Sequence, residues 1–124
     1  MNEFFSEAGA CTRYHVYAHA HFCGADLSVT IGGGERSHIG AVSLAVYEPE
    51  RDSATVSTVT VFSHRDDRIS AHAAKRLSKA LRCTVCVSAG VHIDDPSPAE
   101  LEALLESCRA CLDALESELS RAQS

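Results

Sequence analysis

The residues of this chain whose types suit binding or reaction are strand-end histidines, paired cysteines and glycine-rich stretches. Three stretches share one character. Gly32-Gly33-Gly34 runs on to His38-Ile39-Gly40. Ser63-His64-Arg65-Asp66-Asp67, with Arg68 and Ser70 just beyond, leads into a helical pattern, and Gly90-Val91-His92-Ile93-Asp94-Asp95 leads into another. Each places a histidine where a strand should meet a loop. Free backbone N–H groups at helix starts and in glycine loops bind anions, phosphate above all. The expected site is a rim where His38, His64 and His92 converge, with Arg65 or Arg68 nearby, and it suits a phosphate-bearing, partly apolar ligand. Taken singly, each such histidine is more often a structural loop cap than a functional group. The glycine triplet is not a P-loop, since no Gly-Lys-Ser/Thr follows it, and no G-x-S-x-G elbow is present.

Two other sets invite metal chemistry. Cys83-Thr84-Val85-Cys86 and Cys108-Arg109-Ala110-Cys111 match the spacing of a four-cysteine zinc site. Yet residues three apart on a strand point to opposite faces, and Cys108 sits within a leucine stripe. Cysteines used as small packing residues are the reading that fits. His15, His19 and His21 share one strand face and could hold a divalent ion, but no carboxylate joins that face before Asp26. A polar, solvent-facing or interface-facing strand is the simpler account. No catalytic residue and no metal ligand is assigned.

These side chains must be positioned by a small set of elements. Tyr14 to Phe22 alternates with a period of two and joins Leu27, Val29 and Ile31 through Cys23-Gly24-Ala25, a β-hairpin. Gly32 to Gly34 should then end the second strand as a loop. Further strands are expected over Ile39 to Tyr47, Ala54 to Phe62 and Cys83 to Ala89. The second of these is expected at the centre of the sheet, since both its faces carry apolar residues. A helix over Asp67 to Arg82 has Ile69, Ala73, Leu77, Ala80 and Leu81 on one side and a basic face opposite, which reads first as a solvated face and otherwise as a surface for docking on a larger enzyme. Ser97-Pro98-Ala99-Glu100 is a capping box that opens a leucine-striped second helix. The order ββββαβα describes an α+β fold, one mostly antiparallel mixed sheet packed with two helices. The Tyr14 to Phe22 strand is long and lacks Lys and Pro, so an exposed edge there would favour a homodimer.

Composition sets the outer limits. The chain has 124 residues, 45% hydrophobic and 23% charged, which fits one small domain with an ordered core over residues 14–120 and excludes a membrane span. With a net charge of −6, sequence-independent binding to nucleic acid is not expected. The first dozen residues lack a basic segment followed by an apolar one, so a cytoplasmic location with reduced cysteines is expected.

An ordered set of motifs resembles a known family. Gly24-Ala25-Asp26-Leu27, Gly32-Gly33, His38-Ile39-Gly40, His64-Arg65-Asp66-Asp67 with Ile69-Ser70, Ala74-Lys75-Arg76-Leu77 and Ala89-Gly90-Val91-His92-Ile93 occur in the same order, over Tyr14 to Ser107, as in the small D subunit of bacterial hydroxyarylic-acid (gallate and 4-hydroxybenzoate) decarboxylase systems. The resemblance implies a fold similar to proteasome-assembly-chaperone domains. It also implies a non-catalytic role: a chaperone for prenylated FMN, or FMN, that supports maturation of a UbiD-type decarboxylase large subunit and can meet a flavin prenyltransferase. The cofactor-binding residues expected are Gly32, Gly33, Gly34, His38, Gly40, His64, Arg65, Asp66, Arg68, Ser70, Gly90 and His92. Asp94-Asp95 adds negative charge that would disfavour a bare phosphate. The competing readings are a cofactor-free subunit that docks on a larger enzyme, and a small metal-dependent hydrolase built on the loop histidines.

Overall fold

The computed structural model describes residues 2–61 and 64–123, with the side chains of His64 and Arg65 outside the described residues. Its strands are β1 (Glu3–Ala8), β2 (Val16–Cys23), β3 (Asp26–Gly34), β4 (Arg36–Glu48), β5 (Ser53–Thr60) and β6 (Val85–His92). Its helices are α1 (His64–Leu81) and α2 (Pro98–Gln123), and a short 3-10 turn, Pro49–Arg51, links β4 to β5. The strands form one sheet in the order β1-β2-β3-β6-β4-β5. Only β3 and β6 pair in parallel. The α+β fold with a mixed, mostly antiparallel sheet and two helices is as expected, with one strand more than expected at the N-terminus.

Period-two alternation explains the layering. Val16, Ala18 and Ala20 on β2, Leu27, Val29 and Ile31 on β3, and Val85, Val87 and Ala89 on β6 are all buried, in one cluster with both helices. α1 packs on β4, β5 and β6, and α2 on β1 and β2. From α1 the core takes Ile69, Ala73, Ala74, Leu77 and Leu81, while Ala80, expected inside, is exposed because the buried arc turns toward Ser70, Ala74 and Ser78. The opposite sheet face carries the intervening residues, and there Phe5, Leu44, Val46 and Val59 stay exposed.

Three local expectations are corrected. β2 is no edge: β1 pairs along it from Glu3↔His21 to Ala8↔Val16, and buried Ser6 donates its hydroxyl to the Cys111 carbonyl at 2.9 Å. β5 is not central but an edge, paired among the described residues with β4 alone, and Val59 is 71% exposed. Its apolar outward residues meet no layer, because neither helix covers that face. Gly32 to Gly34 form no loop; they finish β3, paired with β2 on one side and β6 on the other. Gly33 has φ +142°, and a Cβ there would lie 2.2 Å from the His15 carbonyl oxygen, so backbone conformation and close strand approach both demand glycine.

Candidate functional site

β3 and β6 run in parallel and end side by side, with Gly34 opposite His92, and β4 starts beside them. Between Ser37 and Ala41 the β4 register slips against β6, so His38, Ile39 and Gly40 form a bulge opposite Gly90. The bulge brings His38 over the start of α1, where its Nε2 lies 3.0 Å from Asp66 Oδ2. Two glycines permit this. A Cβ on Gly90 would stand 1.7 Å from the His38 carbonyl oxygen, and one on Gly40 2.0 Å from Asp66 Oδ2.

Asp66 is 1% exposed. Its Oδ1 accepts the Val91 backbone N–H at 3.1 Å, which ties α1 to β6. Its Oδ2 has no aligned hydrogen-bond donor among the described residues, so the approach of His38 is an electrostatic contact rather than a directed bond. Leaving a buried carboxylate oxygen so poorly satisfied is costly. His92 stands edge-on to His38, with ring centroids 6.3 Å apart, and its Nε2 lies 2.8 Å from Asp94 Oδ1. That hydrogen bond holds the Asp94 carboxyl below its ordinary pKa.

These groups face a cavity of about 440 Å³, within the roughly 300–1,000 Å³ of small-molecule sites. Apolar walls come from Ile69, Val91, Ile93 and the α2 leucines Leu101, Leu104 and Leu105. Leu101 and Leu105 are only half-buried because the cavity, not core, lies against them. Pro96 and Asp95 form the loop side, and Arg68 stands at the mouth. The capping box holds α2 in place: Ser97 N–H donates to Glu100 Oε1 at 3.0 Å and Glu100 N–H to Ser97 Oγ at 3.1 Å. Arg13 then clamps the loop, donating to Glu100 Oε2 at 2.7 Å, Glu35 Oε1 at 3.1 Å and the Asp94 carbonyl at 2.9 Å.

Of the residues expected at the site, His38, Asp66, Arg68 and His92 meet in this cavity. Gly40 and Gly90 shape it through close approach, and Gly34 lies one strand away, against His92. Gly32 and Gly33 are sheet residues further from it, where Gly32 faces the Tyr17 hydroxyl. Ser70 is buried on the other flank of α1, bonded to Ser43 Oγ at 2.8 Å. The expected roles of the His64 and Arg65 side chains lie outside the described residues. Sequence reasoning missed the leucine wall and the Arg13 clamp. A leucine stripe wider than one core-facing face was the available signal for the first; nothing local marks the second.

The other candidate constellations do not assemble. Cys83 packs against the helix-side core, whereas Cys86 alternates with Val85 and Val87 and so faces the other way. All six cysteines are free, and no group of three or more metal-ligating side chains occurs among the described residues. His19 and His15 instead approach Glu3 and Glu7 of β1, at 2.9 and 3.3 Å. On the basic helix, Arg76 bridges to Asp113 at 2.6 Å and Glu116 at 2.7 Å, so it clamps α1 to α2 rather than facing a partner. No helix among the described residues is long and apolar enough to cross a membrane.

Residues 10–120 match the family described as the prenylated flavin chaperone LpdD-like domain. Protein LpdD of Lactiplantibacillus plantarum is 27% identical over 90 residues, 73% of this chain and 66% of that protein. The match thus spans slightly less than two thirds of that relative's length. A chain from the crystal structure of a novel chaperone complex for yeast 20S proteasome assembly superposes with a TM-score of 0.61 at 18% identity, covering 96% of this chain and 99% of that one. At that identity the likeness is one of fold, and it matches the expected similarity to proteasome-assembly chaperones.

Proposed function

The chain belongs to the prenylated flavin chaperone LpdD-like family, and on that premise we propose that the cavity beside His38 and Asp66 holds prenylated FMN for delivery to a UbiD-type hydroxyarylic-acid decarboxylase. One observation carries the reading: apolar walls and a few convergent polar groups enclose a space of ligand size, where a buried carboxylate oxygen lacks an aligned donor among the described residues. A flavin fits this chemistry. Its ring system suits Ile69, Ile93 and the leucines, its ring N–H groups suit the histidine and carboxylate side, and its phosphate suits Arg68.

The reactive chemistry belongs to the cofactor once it sits in the enzyme that receives it. This chain binds the cofactor, orients it and excludes water. Membership in a chaperone family supports a non-catalytic role. A flavin prenyltransferase as donor, a decarboxylase large subunit as acceptor and a cytoplasmic setting complete the proposal.

The test is co-expression with a flavin prenyltransferase, followed by mass spectrometry of the small molecule that copurifies. Prenylated FMN is expected with the natural chain and its loss with Leu101→Trp, which places an indole in the cavity. Adding the loaded chain to a cofactor-free decarboxylase should raise activity. A natural chain that carries no flavin, or a Leu101→Trp variant that carries it unchanged, overturns the reading.

A further inference from the structure

Beyond Arg68 the cavity continues into a second, smaller one of about 230 Å³ between α1 and α2. The two share Arg68, Ile69 and Leu105. The second is floored by Cys108 and Leu112 and rimmed by His72 and Arg109. We propose that this α1–α2 groove is the subsite for the phosphate end of the ligand, with Arg68 as the residue that selects a phosphorylated flavin over an unphosphorylated one. The inference rests on the flavin reading and adds an orientation to it: ring toward His38 and His92, phosphate toward Arg68 and His72.

Charge distribution decides the direction. At the loop end the ligand would meet Asp66 and Asp95, with Asp94 paired to His92 just outside. A phosphate there would face carboxylates at close range. Among the described residues no carboxylate lines the groove end. Of its basic groups, Arg109 is already engaged by Glu102 at 3.0 Å and by Glu106. Arg68 is exposed and makes no ion pair or hydrogen bond among the described residues. A guanidinium with open donors at the junction of two cavities is the group that can take a phosphate in a bidentate manner. The glycine triplet cannot serve, since the Gly34 N–H donates to the His15 carbonyl at 2.7 Å and the three residues lie within the sheet.

FMN and riboflavin differ only by the phosphate, so fluorescence titration of each into the purified chain isolates the subsite. The natural chain should bind FMN at least tenfold more tightly, and only the FMN affinity should fall with added salt. Arg68→Gln should weaken FMN by about 10- to 100-fold, the scale of a charged hydrogen-bonded contact, and leave riboflavin unchanged. Arg68→Lys should restore part of the loss. An unchanged melting temperature checks that the exposed substitution leaves the fold alone. Equal binding of both flavins by the natural chain, or equal loss of both in Arg68→Gln, overturns the subsite while the flavin reading stands. Binding of neither flavin by the natural chain overturns the subsite, while the flavin reading stands or falls on the prenylated FMN that copurifies after co-expression.

Discussion

Replacing Gly90 by Ala tests the close approach on which the site depends. Gly90 has no positive φ, so alanine brings no backbone strain of its own. Its cost comes from contact. The added Cβ would lie 1.7 Å from the His38 carbonyl oxygen and 2.3 Å from the carbonyl carbon, where real contacts do not fall below 3.0 Å. The two backbones must therefore separate by roughly 1.3 Å, and the obstacle is main chain, which cannot rotate aside. Separation pulls on the Arg36↔His92 and Ser37↔Val91 pairs that flank the bulge. Overpacking of this kind costs about 1–3 kcal/mol. For a chain of this length that lowers the melting temperature by about 3–12 °C. It also moves His38 away from Asp66, so FMN binding should weaken more than stability alone explains. Gly24→Ala is the control: φ is +62° but nothing stands within 4 Å, so it should cost about 1–2 kcal/mol of left-handed strain without touching binding. Melting curves by circular dichroism and flavin titrations on both variants give the answer. A Gly90→Ala variant with native melting and native binding would refute the reasoning.

Burial pushes the Cys108 thiol up to about 12, so at pH 8 it stays protonated in the fold; a thiol reagent should modify exposed Cys11 and Cys23 quickly and reach Cys108 only on unfolding, and rapid native-state labelling of Cys108 would contradict this. Asp94 is held below its ordinary 3.8 by the hydrogen bond from His92; its contribution to loop stability is present above that value and fades as pH falls through the lower folded one. His92→Gln should raise the Asp94 value in an NMR titration, and no change would remove the pairing from the account. The open sheet face, with Leu44 45%, Val46 46% and Val59 71% exposed, is proposed to be covered by a second copy; sedimentation at micromolar concentration should show a dimer that Leu44→Lys with Val59→Lys converts to monomer, and a monomeric natural chain would end the proposal.

What the sequence determines by itself is whatever a segment decides with its immediate neighbours. The alternation from Val16 to Phe22, the Gly24 turn, the apolar side of α1 and the Ser97–Glu100 capping box are local matters of periodicity and hydrogen bonding, and each stands where expected save for Ala80 of α1, which is exposed. His38, Asp66, Arg68 and His92, singled out in the sequence, line one cavity, but what brings them together is the β4 bulge and the parallel ends of β3 and β6. The tertiary structure alone decides what lies on each side of an element. Val56, Val59 and Val61 give the same pattern whether a layer covers them or not, and β5 lies at the edge because β6, not β5, enters between β3 and β4. Gly32 to Gly34 look the same in a loop as in a strand, since the lack of a Cβ permits both a left-handed turn and close approach. Only the pairing with β2 and β6 distinguishes them. The walls of the cavity follow the same rule: Leu101 and Leu105 belong to a stripe read as core, and they line a cavity because the His38–Gly40 bulge and the Arg13 clamp, set by partners distant in sequence, hold the surrounding elements apart.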